Sequence, residues 1–277
     1  MRVRSVLFGP ASRVDFVEKF VRAGADVGVL DLEDATPEGA KSAARDAIAD
    51  ARPGAADLGS TRLWVRVNSV DTAHFTDDLA AAVAAAAHGI VVPKIERIDD
   101  VVMVRAAMEA QGLGDAALCA GIESVAGVDA ASDVCVAGPD VVYFGAEDFI
   151  TDLGGIRTEH NTEVLYARSR VAIAARMGSL PALDQVVVDY GDDERFRREA
   201  LEARTFGYAG KLCVHPAQVA IANDAFTPTA AEIEHARGVV TAADAAAEVG
   251  TGVVAYEGTM VDAPIIDRAR NLLASLD

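Results

Sequence analysis

The sequence has no apolar stretch of about 18 residues without charged side chains, the length expected of a membrane-spanning helix. The segment Met1–Pro10 is too short for a secretory signal peptide and leads directly into a predicted strand. Basic residues are also scarce, because 25 Lys and Arg stand against 43 Asp and Glu, giving a net charge of −18. This balance argues against a nucleic-acid-binding or membrane-binding protein, and we expect a cytoplasmic one.

Cysteine and aromatic residues are few as well. Cys119, Cys135 and Cys213 are odd in number and form no CxxC pair, so they indicate neither a disulfide framework nor a zinc site. We interpret them as small buried hydrophobic residues of a reduced protein. Aromatic residues make up 5% of the chain, whereas hydrophobic residues make up 51%. A large core must therefore consist of Ala, Val, Leu and Ile, as in parallel strands covered by alanine-rich helices.

Eight hydrophobic runs alternate with helical patterns along the chain. The predicted strands cover residues 3–9, 27–33, 63–68, 89–95, 117–123, 141–147, 185–189 and 210–216. The predicted helices cover residues 14–23, 37–50 (with Thr36 as N-cap), 71–87, 99–111, 128–135, 161–177, 193–206 and 217–225. This alternation predicts an α/β fold, a TIM (β/α)8 barrel over residues 1–227, whose typical size is about 250 residues.

The pattern changes after the eighth unit. Thr229 and Glu232 predict a capping box for a helix over residues 230–249. Gly250 and Gly252 follow as a joint, then a short apolar stretch and a final helix over residues 263–276. This helical extension, residues 228–277, is too small for a separate domain. We expect it to pack on the barrel or to cross to a neighbouring subunit.

Acidic side chains end two neighbouring predicted strands, where TIM barrels gather their catalytic residues. Glu123 ends the fifth strand and Asp148 ends the sixth. Adjacent strands lie about 4.8 Å apart, so the two carboxylates predict a site for one hard cation. Mg²⁺ fits such a site, with Mn²⁺ as the alternative, whereas no pair of histidines supports zinc. Taken singly, each carboxylate could instead form an ion pair or cap a helix, and Glu147 could accept a hydrogen bond beside Asp148.

Charged residues also end the second, third and fourth strands. Arg66 ends the third, and we expect its guanidinium to bind a carboxylate or carbonyl of the substrate. Asp31, Glu33 and Asp34 end the second, and their simplest role is to orient nearby Arg and Lys side chains. Lys94 ends the fourth strand. It could be a Schiff-base lysine, a proton donor or a counter-ion of these carboxylates. We favour the counter-ion, in contact with the substrate.

Two further positions carry weaker signals. Arg13 and Lys19 follow the first strand, and loops after barrel strands commonly hold phosphate groups. We predict that both contact a phosphate or pyrophosphate of the substrate, because the rest of the surface is acidic. His215 stands alone at the end of the eighth strand, as a structural histidine or a general base, and we favour the structural role.

Several segments along the chain resemble those of one known family. They are LDLEDA (30–35), RVN (66–68), VPKIE (92–96), GIES (121–124), FGAEDFITDLGG (144–155), YARSRV (166–171), GKLCVHPAQV (210–219), AFTPT (225–229) and GTMVDAPIIDRA (258–269). Together they resemble the HpcH/HpaI aldolase and citrate lyase β-subunit superfamily. Within it, the CitE-like group of malyl-CoA and citramalyl-CoA lyases is the most similar. The resemblance covers essentially the whole chain in the same order.

The resemblance implies a Mg²⁺-dependent carbon–carbon lyase that cleaves or forms a 3-hydroxyacyl-CoA thioester, such as malyl-CoA or citramalyl-CoA. Its partners would be an acyl-CoA and a small keto acid or glyoxylate. It places the metal on Glu123 and Asp148 and the substrate contact on Arg66. It also places a catalytic acid/base on Asp262, contributed by a neighbouring subunit of a homotrimer or hexamer. For cleavage, a group near Glu33 or Asp34 would accept the carbinol proton.

The sequence leaves alternatives open. One is a metal-free aldolase with a Schiff base on Lys94 or Lys211. Another is a citrate lyase β-like subunit that acts on an acyl-carrier-protein thioester within a larger complex, and a third is a catalytically silent barrel. Two loops depart from the family pattern: residues 10–14 read PASRV instead of PGSRP, and residues 153–155 read LGG instead of LGA. These loops leave the acyl group of the substrate open.

Overall fold

The computed structural model describes residues 1–50, 55–248 and 254–276. The chain divides into two units, Met1–Phe226 and Thr227–Asp277. In the first unit, eight parallel strands pair in chain order and the eighth closes on the first. The strands are β1 (Ser5–Pro10), β2 (Val27–Asp31), β3 (Arg62–Arg66), β4 (Gly89–Val92), β5 (Ala117–Ile122), β6 (Val141–Phe144), β7 (Ala182–Asp184) and β8 (Gly210–Cys213). The predicted TIM barrel is thus confirmed.

Helices follow every strand of the barrel. They are α1 (Phe16–Ala23), α2 (Lys41–Asp50), α3 (Ala55–Leu58), α4 (Phe75–Ala84), α5 (Ile98–Ala110), α6 (Val125–Asp129), α7 (Ala131–Val136), α8 (Ala146–Leu153), α9 (Leu165–Met177), α10 (Asp193–Phe206) and α11 (Pro216–Ala225). Short 3-10 turns at Glu38–Ala40 and Thr162–Val164 precede α2 and α9. Because the helices cover the outside of the barrel, its strands are buried on both faces.

Two apolar layers hold the barrel together. Side chains such as Val29, Trp64, Tyr143 and Leu212 fill the interior, and a larger layer lies between the strands and the helices. Gly89 makes room for the indole of Trp64, since a Cβ there would lie 2.5 Å from the indole Nε1. The alternation of inward and outward side chains along each strand explains why the predicted strands are hydrophobic throughout.

The predicted position of the seventh strand is wrong. We expected residues 185–189, whereas β7 is Ala182–Asp184 and pairs with β8 through Leu183 opposite Gly210 and Asp184 opposite Lys211. Asp184 is completely buried, which a hydrophobic pattern does not predict. Asp189 therefore lies beyond the strand, where its Oδ1 accepts a hydrogen bond from the backbone N–H of Gly191.

A buried ionic network explains the charges in β7 and β8. Asp184 accepts two hydrogen bonds from Arg168 of α9, at 2.7 and 3.0 Å, and one from Lys211 Nζ at 2.5 Å. Glu199 of α10 lies 3.7 Å from the same ammonium. Charges buried this deeply are stable only when they are paired, so the network joins α9 and α10 to the barrel. Lys211 is the second residue of β8 and pairs with Ser5 at the start of β1, so it lies at the end of the barrel opposite the strand C-termini.

Several predicted helix boundaries also need correction. Thr36 does not cap a helix: its hydroxyl donates to the carbonyl of Asp31 at 2.7 Å, and α2 begins only at Lys41. The helix predicted over residues 71–87 is the shorter α4, and the one predicted over 128–135 is divided into α6 and α7. The short helix α3 was not predicted.

The second unit contains α12 (Ala230–Glu248), an antiparallel pair of β9 (Val254–Tyr256) and β10 (Thr259–Val261), and α13 (Ala263–Ala274). The capping box is confirmed, because Glu232 accepts from the Thr229 backbone N–H at 2.7 Å and donates its own N–H to Thr229 Oγ1 at 3.2 Å. Gly250 and Gly252 lie outside the described residues. The sequence did not predict β10. None of the helices in the described ranges is both long and apolar enough to cross a membrane.

Candidate active site

A cavity of about 460 Å³ lies at the C-terminal ends of the barrel strands. Apolar side chains such as Phe8, Phe16 and Val186 form part of its wall. Its charged lining residues are Asp31, Asp34, Arg66, Glu123, Glu147 and Asp148. The fold therefore brings together most of the residues predicted from the strand ends.

Glu123 and Asp148 line this cavity in different environments. Glu123 directly follows β5 and is buried, with 3% of its surface exposed. Asp148 does not end β6 but is the third residue of α8, and its side chain is 42% exposed. Glu123 Oε1 accepts a hydrogen bond from the backbone N–H of Lys94 at 3.1 Å. Burial, with the nearby charge of Asp148, raises the pKa of Glu123 to about 7.

Two glycines make room for two buried polar side chains of the cavity, Glu123 and Tyr143. A Cβ on Gly145, just after β6, would lie 2.5 Å from Glu123 Oε2. A Cβ on Gly121 of β5 would lie 2.4 Å from the hydroxyl of Tyr143, which is also buried and lines the cavity. Any larger residue at either position would displace these polar groups. Sequence reasoning missed Tyr143, although a tyrosine in an otherwise apolar strand was a visible signal.

Arg66 lies at the centre of an acidic cluster. Its Nε and Nη2 donate to the two oxygens of Asp31 at 2.7 and 2.6 Å. Its Nη1 lies 2.8 Å from Glu33 Oε2, and its Nη2 lies 3.4 Å from Asp34 Oδ2. Burial lowers the pKa of Arg66, but the charge of Asp31 outweighs this effect and raises the pKa well above its usual value. The three acids thus orient this guanidinium, the role that we considered simplest for them.

Asp31 is itself held in place by the backbone. Its two oxygens accept from the N–H groups of Glu33 at 2.9 Å and Ala35 at 3.0 Å. The ring of Phe8 lies 5.2 Å from the guanidinium carbon of Arg66. The orientation of Arg66 is therefore determined by the fold before a ligand binds.

Lys94 is a counter-ion, as favoured from the sequence. Its Nζ lies 3.1 Å from Glu33 Oε1 and 3.7 Å from Asp148 Oδ1. Burial lowers the pKa of Lys94, but Glu33 and Asp148 outweigh it and raise the pKa. A Schiff-base lysine needs a lowered pKa, so this environment disfavours that role. Lys94 has a left-handed backbone (φ 55°), which is uncommon for a residue with a side chain.

The predicted phosphate contacts are only partly at the cavity. Arg13 binds Asp15 at 2.8 Å, its side chain is 58% exposed, and it does not line the cavity. Lys19 also pairs with Asp15, at 3.2 Å, and its ammonium lies 3.9 Å from the ring centre of Phe16. Lys19 lines a second cavity of about 600 Å³ that shares Phe16 with the first. The sequence prediction did not anticipate that Asp15 would form ion pairs with both cations.

His215 caps the helix α11. Its Nδ1 accepts from the backbone N–H of Ala217 at 3.3 Å, and Gln218 completes a capping box at the start of α11. Its ring stacks on Tyr190 at 5.1 Å. Asp262 similarly caps α13 of the second unit, since its Oδ1 accepts from the N–H of Ile265 at 3.4 Å.

Known proteins are similar to this chain in sequence and in fold. Residues 4–216 match the model of the HpcH/HpaI aldolase/citrate lyase family. The chain is 45% identical to a citrate lyase subunit beta-like protein of Deinococcus radiodurans, covering 98% of this chain and 96% of that protein. It is 33% identical to the L-malyl-CoA/beta-methylmalyl-CoA lyase of Rhodobacter capsulatus, covering 96% and 92%.

A solved structure supports the same assignment. CitE from Mycobacterium tuberculosis, crystallised with magnesium, acetoacetate and coenzyme A, superimposes with a TM-score of 0.81. The two chains are 31% identical, with 98% of this chain and 96% of that chain covered. Sequence, fold and motif order agree, and the chain belongs to the HpcH/HpaI aldolase/citrate lyase family.

Proposed function

We propose that this carbon–carbon lyase uses Mg²⁺ to cleave, or in reverse to form, a 3-hydroxyacyl-CoA thioester such as malyl-CoA or citramalyl-CoA. The observation that carries the proposal is one cavity in which two carboxylates, Glu123 and Asp148, lie beside an oriented guanidinium, Arg66. Carboxylates that bind a cation and a guanidinium that binds developing negative charge are the two requirements of such a reaction.

The donor set fits Mg²⁺. Glu123 and Asp148 offer hard carboxylate oxygens, and Glu123 Oε2 lies against the small Gly145, where no Cβ fills the space. The ammonium of Lys94 already lies beside Asp148, so this place attracts positive charge. No group of three or more His, Cys, Asp or Glu side chains that could hold a metal ion occurs in the described ranges, residues 1–50, 55–248 and 254–276. Two carboxylates, with water and substrate oxygens as the other ligands, match the preference of Mg²⁺.

Glu123 and Asp148 would hold Mg²⁺, which would supply a Lewis acid for the oxygen of the α-hydroxy acid or keto acid half of the substrate. Arg66 stabilises the negative charge that develops on the enolate of the thioester as the carbon–carbon bond breaks. Asp31 holds the plane and the donors of the Arg66 guanidinium in one orientation. The guanidinium therefore needs little reorientation during the reaction.

Acidic side chains carry out the proton transfers. Glu33 accepts the carbinol proton, because burial raises its pKa and Lys94 lies 3.1 Å from its Oε1 to stabilise the ionised form. Asp34 is 61% exposed at its side chain and is the second candidate for this proton. Asp262 of a neighbouring subunit, in protonated form, donates a proton to the enolate carbon. The products are acetyl-CoA and glyoxylate or a 2-keto acid.

Basic groups beside the cavity hold the phosphates of CoA. Lys19 and Arg22 line the second cavity. Their positive charges would attract phosphate groups to this place on a chain whose net charge is −18. Arg13 contributes from the exposed loop, and Lys94 contacts the acyl end of the substrate. The protein forms a homotrimer or hexamer in which the second unit supplies Asp262 to the neighbouring barrel.

The resemblance to a citrate lyase subunit beta-like protein supports a second candidate, an acyl-carrier-protein thioester as the substrate. Purified protein with Mg²⁺ should be tested on malyl-, citramalyl-, 3-methylmalyl- and 3-hydroxy-3-methylglutaryl-CoA without any carrier protein. We expect release of acetyl-CoA, or of propionyl-CoA in the case of 3-methylmalyl-CoA, from at least one thioester and loss of this activity with EDTA. Activity only after addition of an acyl-carrier protein would favour the second candidate. Borohydride trapping of a keto acid on the protein would contradict both.

A further inference from the structure

We propose that Arg157 is a positioning residue for the cation site, because it binds the carboxylate of Glu147 and so keeps this third acid from competing with Asp148. The inference rests on the proposed cation site at Glu123 and Asp148. Glu147 and Asp148 are neighbours in the first turn of α8, and both line the cavity. Arg157 does not line it, so its influence on the site would pass through Glu147.

Arg157 connects α8 to the segment that follows it. Its Nε donates to Glu147 Oε1 at 2.8 Å. Its Nη1 donates to Asn161 Oδ1 at 3.1 Å and also to Glu163. The side chain is only 19% exposed. One guanidinium thus binds an acid before it in the chain and two acceptors after it, which its fixed fork of donors allows.

The far side of this guanidinium is fixed to the barrel wall. Asn161 is 4% exposed and has a left-handed backbone (φ 54°). Its Oδ1 also accepts from Gln185 Nε2 at 2.9 Å, and Gln185, which follows β7, is completely buried. Contacts with the barrel therefore fix the position of Arg157. Because Glu147 is bound to this fixed guanidinium, its carboxylate is kept from moving further into the cavity.

The charge balance explains why this contact matters. Without Arg157, the cavity would have three acidic side chains at one end, of which Glu147 would be free to move. A free Glu147 carboxylate offers an additional oxygen ligand, so a cation would still bind but in another coordination. Groups that orient metal ligands typically change activity or metal affinity by about 10- to 100-fold when they are removed. We expect the loss here to appear in turnover, with metal affinity kept or increased.

The test is a double-mutant cycle on the purified full-length protein, with kcat for the thioester and Mn²⁺ affinity from EPR as separate measurements. Arg157→Gln should lower kcat by about 10-fold or more, while Mn²⁺ binds at least as tightly as in the wild type. Combining it with Glu147→Gln should return kcat to the value of Glu147→Gln alone, because the competing carboxylate is gone. A residue that only stabilises the loop would not show this recovery.

Two further variants make the result decisive. Arg105→Gln is the matched control, since Arg105 also joins two segments, with Gly138 O at 2.7 Å and Asp140 at 2.6 Å, away from the cavity. It should leave kcat and Mn²⁺ affinity unchanged. If Arg157→Gln does not fold, Arg157→Lys, which keeps the charge but loses the fork, takes its place in the cycle.

A wild-type kcat in the Arg157 variant would overturn this inference, and so would a loss of kcat that persists in the Glu147→Gln background. Either result would leave the proposed cation site intact. Wild-type protein that binds no Mn²⁺ would contradict the proposed cation site, and the inference with it.

Discussion

Asp31 binds the guanidinium of Arg66 at two points, with Nε–Oδ1 and Nη2–Oδ2 distances of 2.7 and 2.6 Å. Both side chains are largely buried, at 2% and 13% exposure. The paired geometry uses the edge of the guanidinium, while Nη1 lies 2.8 Å from Glu33. A lysine could supply the charge of Arg66 but could not make these parallel contacts.

Arg66→Lys should therefore lower kcat by about 100-fold or more, as expected for loss of a fixed donor to developing negative charge. Steady-state kinetics with a CoA thioester that the wild-type protein cleaves measure this change. Arg62→Lys is the matched control, because Arg62 begins the same strand at the opposite end of the barrel and is exposed. Most of the wild-type kcat remaining in Arg66→Lys would mean that Arg66 has a structural role only.

Glu123→Gln and Asp148→Asn should each abolish activity and weaken Mg²⁺ binding, because each removes an anionic ligand at nearly constant volume. Calorimetric titration with Mg²⁺ tests the binding, and circular dichroism tests the fold. Gln can still accept the hydrogen bond from the backbone N–H of Lys94, so Glu123→Gln should fold. Asp133→Asn, on the exposed side of α7, is the control. Turnover near the wild-type rate at saturating Mg²⁺ would refute this ligand assignment.

Asp262→Asn should be inactive but should still bind Mg²⁺ and the CoA thioester. The residues proposed to bind Mg²⁺ and the thioester all belong to the barrel. If the second unit supplies Asp262 to a neighbouring subunit, mixing Asp262→Asn with inactive Glu123→Gln should restore part of the activity. Some sites would then combine an intact Glu123 with an intact Asp262. The activity is measured after subunit exchange has been demonstrated. Complete exchange without recovery would rule out a site shared between subunits.

The buried network around Lys211 should make stability sensitive to acid. Burial raises the pKa of Glu199, but Lys211 and Arg195 outweigh it, so the pKa in the folded state is lowered. The unfolded chain has a Glu pKa of about 4.3 and binds this proton more readily. The contribution of Glu199 is thus present above that pH and is lost as the pH falls through the folded pKa.

Urea unfolding at a series of pH values between about 6 and 3 measures this effect through the free energy of unfolding. Glu199→Gln should show a shallower decline with falling pH than the wild type. Glu194→Gln, an exposed glutamate of the same helix, should follow the wild-type curve. Identical slopes for the wild type and Glu199→Gln would contradict the assignment of a lowered pKa.

The sequence predicted the barrel because seven of its strands are apolar on both faces and each is followed by a helical pattern. It misplaced β7 because Asp184 is charged and its burial depends on Arg168 and Lys211, which are distant in sequence. Hydrophobic periodicity cannot reveal such a pair, since it reports the side chain and not its partner.

The site was predictable to the extent that it follows from parallel strands. Arg66, Lys94 and Glu123 come together because the C-terminal ends of such strands meet at one end of a barrel. The contact of Arg157 with Glu147 was not predictable, because it depends on the conformation of the intervening loop. The pairing of Arg13 with Asp15 was missed for the same reason.

The three native cysteines have a practical consequence for these experiments. All are buried, and burial raises the pKa of Cys135 and Cys213 to about 12 and that of Cys119 still further. Maleimide dyes react with thiolates, so the native chain should remain almost unlabelled near neutral pH. A single Ser275→Cys substitution at an exposed position would then carry the dye alone. Energy transfer between donor- and acceptor-labelled chains could follow subunit mixing without removal of any native cysteine.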